Sequence, residues 1–213
     1  MDLPGPMIVY GSGGHAKVVV DILRRMGIEI AAILDDDPDK AGGTFAELPV
    51  FLARDYLKPS RRKKAGPAIV AIGDNRARQE RAALLAGKGF HLVTAVHPGA
   101  MIAADTVLGA GTVAMAGVVV NSGARVGDNV ILNTGCTVDH DCRVGHGAHI
   151  SPGVHLGGGV TIGDRAHVGI GACVLPGVCI GPDAVIGGGA AVIHDVLPGV
   201  TAVGVPARMI RQA

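Results

Sequence analysis

Aromatic side chains are nearly missing from this chain: tryptophan is absent, and Phe, Tyr and Trp together supply 2% of 213 residues. Such a surface offers no platform for stacking the bases of a single-stranded nucleic acid. An excess of either charge is missing too. A formal net charge of +1 gives no field for holding nucleic acid or an anionic membrane. Cysteine is scarce, four in all, with Cys136 and Cys142 one six-residue step apart and Cys173 and Cys179 likewise. That spacing is neither a CxxC zinc site nor a disulfide framework, so all four read as reduced thiols filling small-residue positions. Met1-Asp2-Leu3-Pro4 lacks the basic start and long apolar run of a signal peptide, and the expected location is the cytoplasm. One stretch, Thr106 to Ala124, runs 19 residues without a charge, enough to span a membrane. It is Gly-rich, however, and keeps a period of six, which assigns it elsewhere.

That period organises the C-terminal half. Stepping by six from Ile102 to Val192 gives sixteen positions, fifteen of them Leu, Ile or Val. The fourth residue after each is small or β-branched, from Thr106 to Val196, and the residue directly after is Gly in eight hexads, among them Gly109, Gly127 and Gly157. Six fits neither a helix face nor a long strand, so the unit is a short strand plus a corner, repeated without insertion through Leu197. The aliphatics are expected inside, the small residues at corners, and these glycines in backbone conformations closed to other residues. The region resembles the left-handed parallel β-helix of hexapeptide-repeat acyltransferases. The resemblance implies three hexads per triangular coil, a homotrimer, and acyl-CoA lying between neighbouring prisms.

The N-terminal half reads as a small α/β domain with a mainly parallel, Rossmann-like sheet. Met7 to Tyr10 is a short apolar run ending in Gly11-Ser12-Gly13-Gly14-His15-Ala16, and apolar positions 18, 19, 22, 23 and 26 then share a helical face that Gly27 stops. Ile28 to Leu34 reads as a second strand ending in Asp35-Asp36-Asp37, acids placed to face a ligand's hydroxyls. Ala68 to Ile72 and His91 to Ala95 are the remaining expected strands, with a helix from Asn75 to Leu85 between them. G-x-G-x-x-A suggests a dinucleotide, but so short a sheet suits a nucleotide or nucleotide sugar better than a nicotinamide cofactor. The run Arg61-Arg62-Lys63-Lys64 reads as a solvated loop. The expected boundary divides the chain into 1-98 and 99-213.

The chemistry points to His140. It stands two residues past the inward Val138, so it projects outward, and acids flank it on both sides. A carboxylate bonded to one ring nitrogen fixes the tautomer and raises the basicity of the other, as a general base requires. Tyr10 to His15, Leu34-Asp35-Asp36, Ala71-Ile72-Gly73-Asp74-Asn75, the segment around His140 and Gly204-Val205-Pro206-Ala207 together resemble the PglD/NeuD-type bacterial nucleotide-amino-sugar acetyltransferases, the bacillosamine and perosamine N-acetyltransferases among them. The resemblance implies His140 as catalytic base and Asp141 as the acid that tunes it. It further implies His149, Ile170 and Gly188 as acetyl-CoA contacts, and Gly13, Gly14, His15, Asp35, Asp36 and Gly73 as contacts to the nucleotide sugar.

Residue 158 lies 18 beyond His140, one coil on, and the Gly158 N–H is read as an oxyanion donor to the thioester. The expected reaction is direct N-acetylation of the 4-amino group of a 4-amino-4,6-dideoxy sugar carried on GDP or UDP, without a metal. Sugar O-acetylation is the alternative. A γ-carbonic-anhydrase-like zinc enzyme is the remote one, since its His-x4-His spacing is absent. Arg208 is a further, weaker candidate for a coenzyme phosphate.

Overall fold

The computed structural model describes residues 5–58 and 66–212; Met1 to Pro4 and the basic run at 61–64 lie outside them. The chain divides into two compact units, Met1–Pro98 and Gly99–Ala213.

In the first unit β1 (Met7–Tyr10) is buried at all four positions, as an apolar run at the centre of a parallel sheet must be. Helix α1 (Gly14–Arg25) buries Ala16, Val19, Val20, Ile22 and Leu23, and Gly27, at φ +71°, lets the chain leave it. Strand β2 (Ile30–Asp35) follows. The hairpin of β3 (Thr44–Phe45) and β4 (Leu48–Leu52) and the single turn α2 (Ala53–Tyr56) come next, and the sequence reading contains none of them. Two residues are too few to show alternation, and Pro49 argues against a strand. Then come β5 (Pro67–Val70), α3 (Asn75–Gly87), β6 (His91–Leu92) and β7 (Ala95–Val96). The single strand expected from His91 to Ala95 is therefore two, because pairing with β5 stops after Ala68 meets Leu92.

The sheet order is β3-β4-β2-β1-β5-β6, parallel except for the β3–β4 hairpin. Six strands make it wider than expected. The order reverses between β1 and β5, which opens a crevice at their carboxyl ends, where α/β sheets of this kind bind ligands.

The second unit is a left-handed parallel β-helix. A two-residue strand recurs every six residues from Met101–Ile102 to Ala191–Val192, and each one up to Cys173–Val174 pairs in parallel with the strand 18 residues on. The first face stacks Met101–Ile102, Val119–Val120, Thr137–Val138, His155–Leu156, Cys173–Val174 and Ala191–Val192. The second face runs from Val107–Leu108 to Cys179–Ile180, and the third from Val113–Ala114 to Val185–Ile186. The second residue of each strand points inward: Val126, Val138, Ile150, Ile162 and Val174 are at most 3% exposed. Burying each such side chain contributes about 1.5–3 kcal/mol, which an interior this narrow obtains from aliphatics without aromatics.

Three expectations need correction. The eight glycines that follow the aliphatics are not the ones at positive φ. A Cβ at Gly109, Gly145 or Gly163 would lie 2.3–2.5 Å from atoms of the next coil, so this column is glycine because successive coils touch there. The left-handed column lies two residues later, at fourteen corners from Gly111 to Gly189, of which only Asn129, Asp141, Arg165 and Asp183 are not glycine. Second, the register does not hold through Leu197. After Val192 the offset drops from 18 to 16, Ile180 meeting Val196 and Val185 meeting Thr201, because the corner at 193–195 is two residues shorter than the others. Third, Cys136 and Cys142 are buried in small-residue positions but Cys173 and Cys179 are exposed, being the outward members of their strands. No described helix is long and apolar enough to cross a membrane.

Candidate active site

Asp139, His140 and Asp141 form the corner between the first-face strand Thr137–Val138 and the second-face strand Arg143–Val144. At the left-handed position of this edge the stack reads Gly123, Asp141, Gly159, Gly177. Asp141, at φ +60°, is the one side chain placed where its neighbours have glycine. Left-handed backbone costs an L-residue about 1–2 kcal/mol, and its effect here is to turn the carboxylate back onto the preceding ring. His140 Nδ1 stands 2.9 Å from Asp141 Oδ2. A carboxylate only accepts, so Nδ1 carries the proton and the Nε2 lone pair is the free one.

Asp139 holds the corner from the other side, its Oδ1 accepting from the His140 N–H and from Asn121 Nδ2, both at 2.8 Å. Those donors, the Asn121 amide foremost, keep its carboxyl below the usual range. The bond to Asp141, then the charge of Asp139, raises the imidazole above its ordinary pKa. The ring is open to an incoming proton, with a side-chain exposure of 62%.

Gly158, one coil on, makes a contact that spacing alone does not reveal. A Cβ there would lie 2.5 Å from His140 Nε2, so the imidazole rests against the glycine. The Gly158 carbonyl accepts from the Gly177 N–H at 2.9 Å, while its N–H meets no acceptor among the described residues. Ile170 and Gly188 do stack, the Gly189 N–H donating to the Ile170 carbonyl at 2.8 Å. A Cβ on Gly188 would stand 3.2 Å from Ile170 Cγ2, so the bare glycine leaves room beside a 63% exposed isoleucine. This pair, however, lies on the edge between the third and first faces. His149 projects from the third face, its Nε2 3.1 Å from Asn133 Nδ2 and its ring 4.8 Å from that of His167. One prism thus keeps His140 on a different edge from Ile170 and Gly188. Among the described residues no group of three or more His, Cys, Asp or Glu side chains is placed to hold a metal ion.

In the first unit the predicted residues gather at the carboxyl ends of β1, β2 and β5. Gly11, at φ +111°, would bring a Cβ to 2.8 Å from the Ala71 carbonyl, so the loops after β1 and β5 close on each other only with glycine here. Gly13, Gly14 and Gly73 face open space, which leaves their backbone approachable. Asp35 braces this turn: its Oδ2 accepts from the Ser12 N–H at 3.0 Å, from the Ser12 hydroxyl and from Lys40 Nζ at 3.3 Å, and its Oδ1 from the Asp37 N–H at 3.0 Å. Burial pushes its carboxyl up, but these bonds outweigh burial and hold it below the ordinary value. Asp36 accepts from the Tyr10 hydroxyl at 2.6 Å and from Arg81 Nε at 2.7 Å.

His15 Nε2 is buried with no hydrogen-bond partner among the described residues. Burial, then the nearby Arg78 charge, lowers its pKa to about 4, so the ring is neutral at pH 7. Arg78 is the residue beside this site that the sequence does not single out. It is 1% exposed and donates to the carbonyls of Ile72 (3.1 Å) and Gly73 (3.0 Å) and to Asn75 Oδ1 (2.8 Å), tying down the Gly73 loop. Its signal was an arginine one helical turn past Asp74, directly behind the Ala71–Asn75 motif.

Residues 6–85 match the PglD N-terminal domain family. No curated protein sequence matches the chain. Among solved structures the chain is similar to PerB from Caulobacter crescentus, crystallised with CoA and GDP-perosamine, at 42% identity over 99% of this chain and 100% of that one, with a TM-score of 0.92. Asparagine and alanine replacements of a histidine in that enzyme, a perosamine N-acetyltransferase, have also been solved. The acetyltransferase domain of PglB from Neisseria gonorrhoeae is 35% identical over 96% of this chain and 99% of its own, with a TM-score of 0.89. WeeI from Acinetobacter baumannii is 27% identical over 96% and 99%, with a TM-score of 0.88. A glycine-turn domain followed by a hexad prism, matched end to end at these identities, leads to one assignment: the chain belongs to the PglD-type family of nucleotide-amino-sugar acetyltransferases.

Proposed function

We propose that this chain transfers the acetyl group of acetyl-CoA to the 4-amino group of a nucleotide-linked 4-amino-4,6-dideoxy sugar, with His140 as general base. The observation that carries the mechanism is the His140–Asp141 pair at 2.9 Å, set on a corner that would otherwise be glycine. The sugar's amine attacks the thioester carbonyl while His140 Nε2 accepts the amine proton. The C–N bond forms, the C–S bond breaks, and the CoA thiolate leaves to be protonated by the imidazolium. The Gly158 N–H donates to the oxyanion of the tetrahedral intermediate. Gly13, Gly14, His15, Asp35, Asp36 and Gly73 hold the nucleotide sugar, and His149, Ile170 and Gly188 the coenzyme. PerB, similar over its whole length, binds CoA and GDP-perosamine, and the PglB domain binds acetyl-CoA. The chain is expected to work in the cytoplasm, where acetyl-CoA is at hand.

The separation of these residues on the prism supports a homotrimer. With His140 on one edge and the Ile170–Gly188 stack on another, a coenzyme held by one prism reaches the base of its neighbour when edges of two copies face each other. Mixing settles both points. His140→Ala is expected to lower turnover by about 10²- to 10⁴-fold, and Gly188→Trp to block the coenzyme. Denatured together and refolded, the two inactive variants form mixed trimers, some of whose sites join an intact His140 edge to an intact Gly188 edge. Partial recovery of CoA release supports a shared site. No recovery from verified mixed trimers places the whole site in one chain, and near-normal turnover by His140→Ala removes His140 as base.

A further inference from the structure

Three acids stand on the prism edge that carries His140: Asp105, Asp139 and Asp141. Asp105 serves its own corner. It accepts from the Ser122 hydroxyl at 2.7 Å and the Gly123 N–H at 3.0 Å, bonds that hold its carboxyl down with the charge of Arg125 adding to them. Asp139 and Asp141 meet no lysine or arginine among the described residues, whereas Asp36 and Asp183 are paired with Arg81 and Arg165. A neutral His140 therefore stands between two carboxylates whose charge no side chain offsets. Asp139 is also aimed. Its Oδ1 takes both of its donors, the His140 N–H and, from one coil below, Asn121 Nδ2, and its Oδ2 is left for an incoming group. Cys142 adds no charge here, because burial, with the charge of Asp139 adding, pushes its thiol up.

We propose that Asp139 makes this corner specific for an amine: with Asp141 it draws the acceptor's 4-amino group in as an ammonium and takes one of its N–H bonds on Oδ2, and Asn121 is the positioning residue that aims it. The inference rests on the acetyltransferase reading above. It separates amines from hydroxyls, a choice that a general base alone does not make, since an imidazole takes a proton from either. Amines are protonated at neutral pH, with pKa values of about 7.7–8.0 for α-amino groups and about 10.4 for lysine. A hydroxyl brings no charge, and so gains nothing from the attraction that strengthens as bound substrate displaces water. The ammonium gives its first proton to water, and the free amine then attacks the thioester. Its second proton goes to His140 Nε2 and ends on the CoA sulfur. Ammonium and acetyl-CoA thus give the amide, CoA with its thiol restored, and one proton released to solvent.

Titration calorimetry of the full chain without acetyl-CoA compares GDP- and UDP-linked 4-amino-4,6-dideoxy sugars with the same compounds carrying a hydroxyl at C4. The sugar with the amine is expected to bind about tenfold to a hundredfold more tightly at pH 7, the range of a hydrogen bond between charged groups. Asp139→Asn should bring the two to within a few-fold, and Asn121→Ala should remove part of the preference. Affinity for the hydroxyl compound should stay as it was in both variants, a selective loss that general damage to the corner would not give. The native chain supplies a test that needs no variant. Protonation of His140 offsets one of the two carboxylate charges at low pH, and the amine loses its own charge at high pH, so the preference should be greatest between the two pKa values. Equal affinity of the native chain for both compounds, or an undiminished preference in Asp139→Asn, overturns the inference. Free-CoA release with the hydroxyl compounds alone would overturn it and leave an acetyltransferase. Release with neither kind would end the acetyltransferase reading as well.

Discussion

At the scale of single residues, the proposed chemistry rests on His140 and Asp141, and it carries a pH dependence through the imidazole. The imidazole must be neutral to accept a proton, and its pKa is raised, so kcat/KM is expected to climb with pH through a midpoint above the ordinary histidine value of about 6.5. Asp141→Asn keeps an acceptor beside Nδ1 but removes the charge. It should move that midpoint to lower pH and lower the plateau, in a pH–rate profile taken against free-CoA release. Asp141→Gly separates function from stability at the same place. Glycine relieves about 1–2 kcal/mol of left-handed strain and adds a backbone-entropy cost of about 0.5–1 kcal/mol, so thermal unfolding should hold steady or rise while turnover falls. His140 was legible because acids flank it in sequence. The reason Asp141 points the right way was not, since it depends on a corner column two residues away from the glycines that the eye finds first.

Elements show two uses of glycine that composition cannot tell apart. A Cβ at Gly145 would stand 2.5 Å from the Asp164 carboxylate and 2.6 Å from its N–H, whereas one at Gly153 would touch nothing within 4 Å but would sit at φ +64°. Gly145→Ala must push two coils apart and is expected to destabilise by about 1–3 kcal/mol or more. Gly153→Ala should cost about 1–2 kcal/mol, and Gly153→Asn less, because Asn visits this region readily; urea unfolding of the three variants ranks them. In the first unit, the loop after β5 is held by Arg78 from below. Arg78→Met should raise KM for the nucleotide sugar several-fold at little change in kcat, with KM for acetyl-CoA unmoved. β1, α1 and α3 were legible from apolar runs and helical spacing. The β3–β4 hairpin and the break after Leu92 were not, because backbone bonds to neighbouring strands, not local pattern, set where those pieces end.

For the whole molecule, periodicity carried nearly all the information. An unbroken step of six specifies the prism, and its failure after Val192 was hidden because Val196 satisfies two readings at once, a small residue in the old register and an aliphatic in the shortened one. Each coil bonds only to the coils on either side of it, so stability accumulates by neighbours. Deleting residues 107–124, one full coil, should preserve the circular dichroism of the prism, because every later strand returns to the same face.

The tail has a consequence for solubility. Val196 pairs with Ile180 on the second face, Gly204 and Ala207 bond to Ala191 on the first, and Val200–Val203 lies along Val185–Ile186 on the third, doubled back against Arg208–Gln212. All three terminal rungs are thereby sealed. A stack of parallel strands left bare would act as a seed, adding copy upon copy along its axis as amyloid does; the last turn of chain, by closing that growing end, keeps a shape made for endless extension finite.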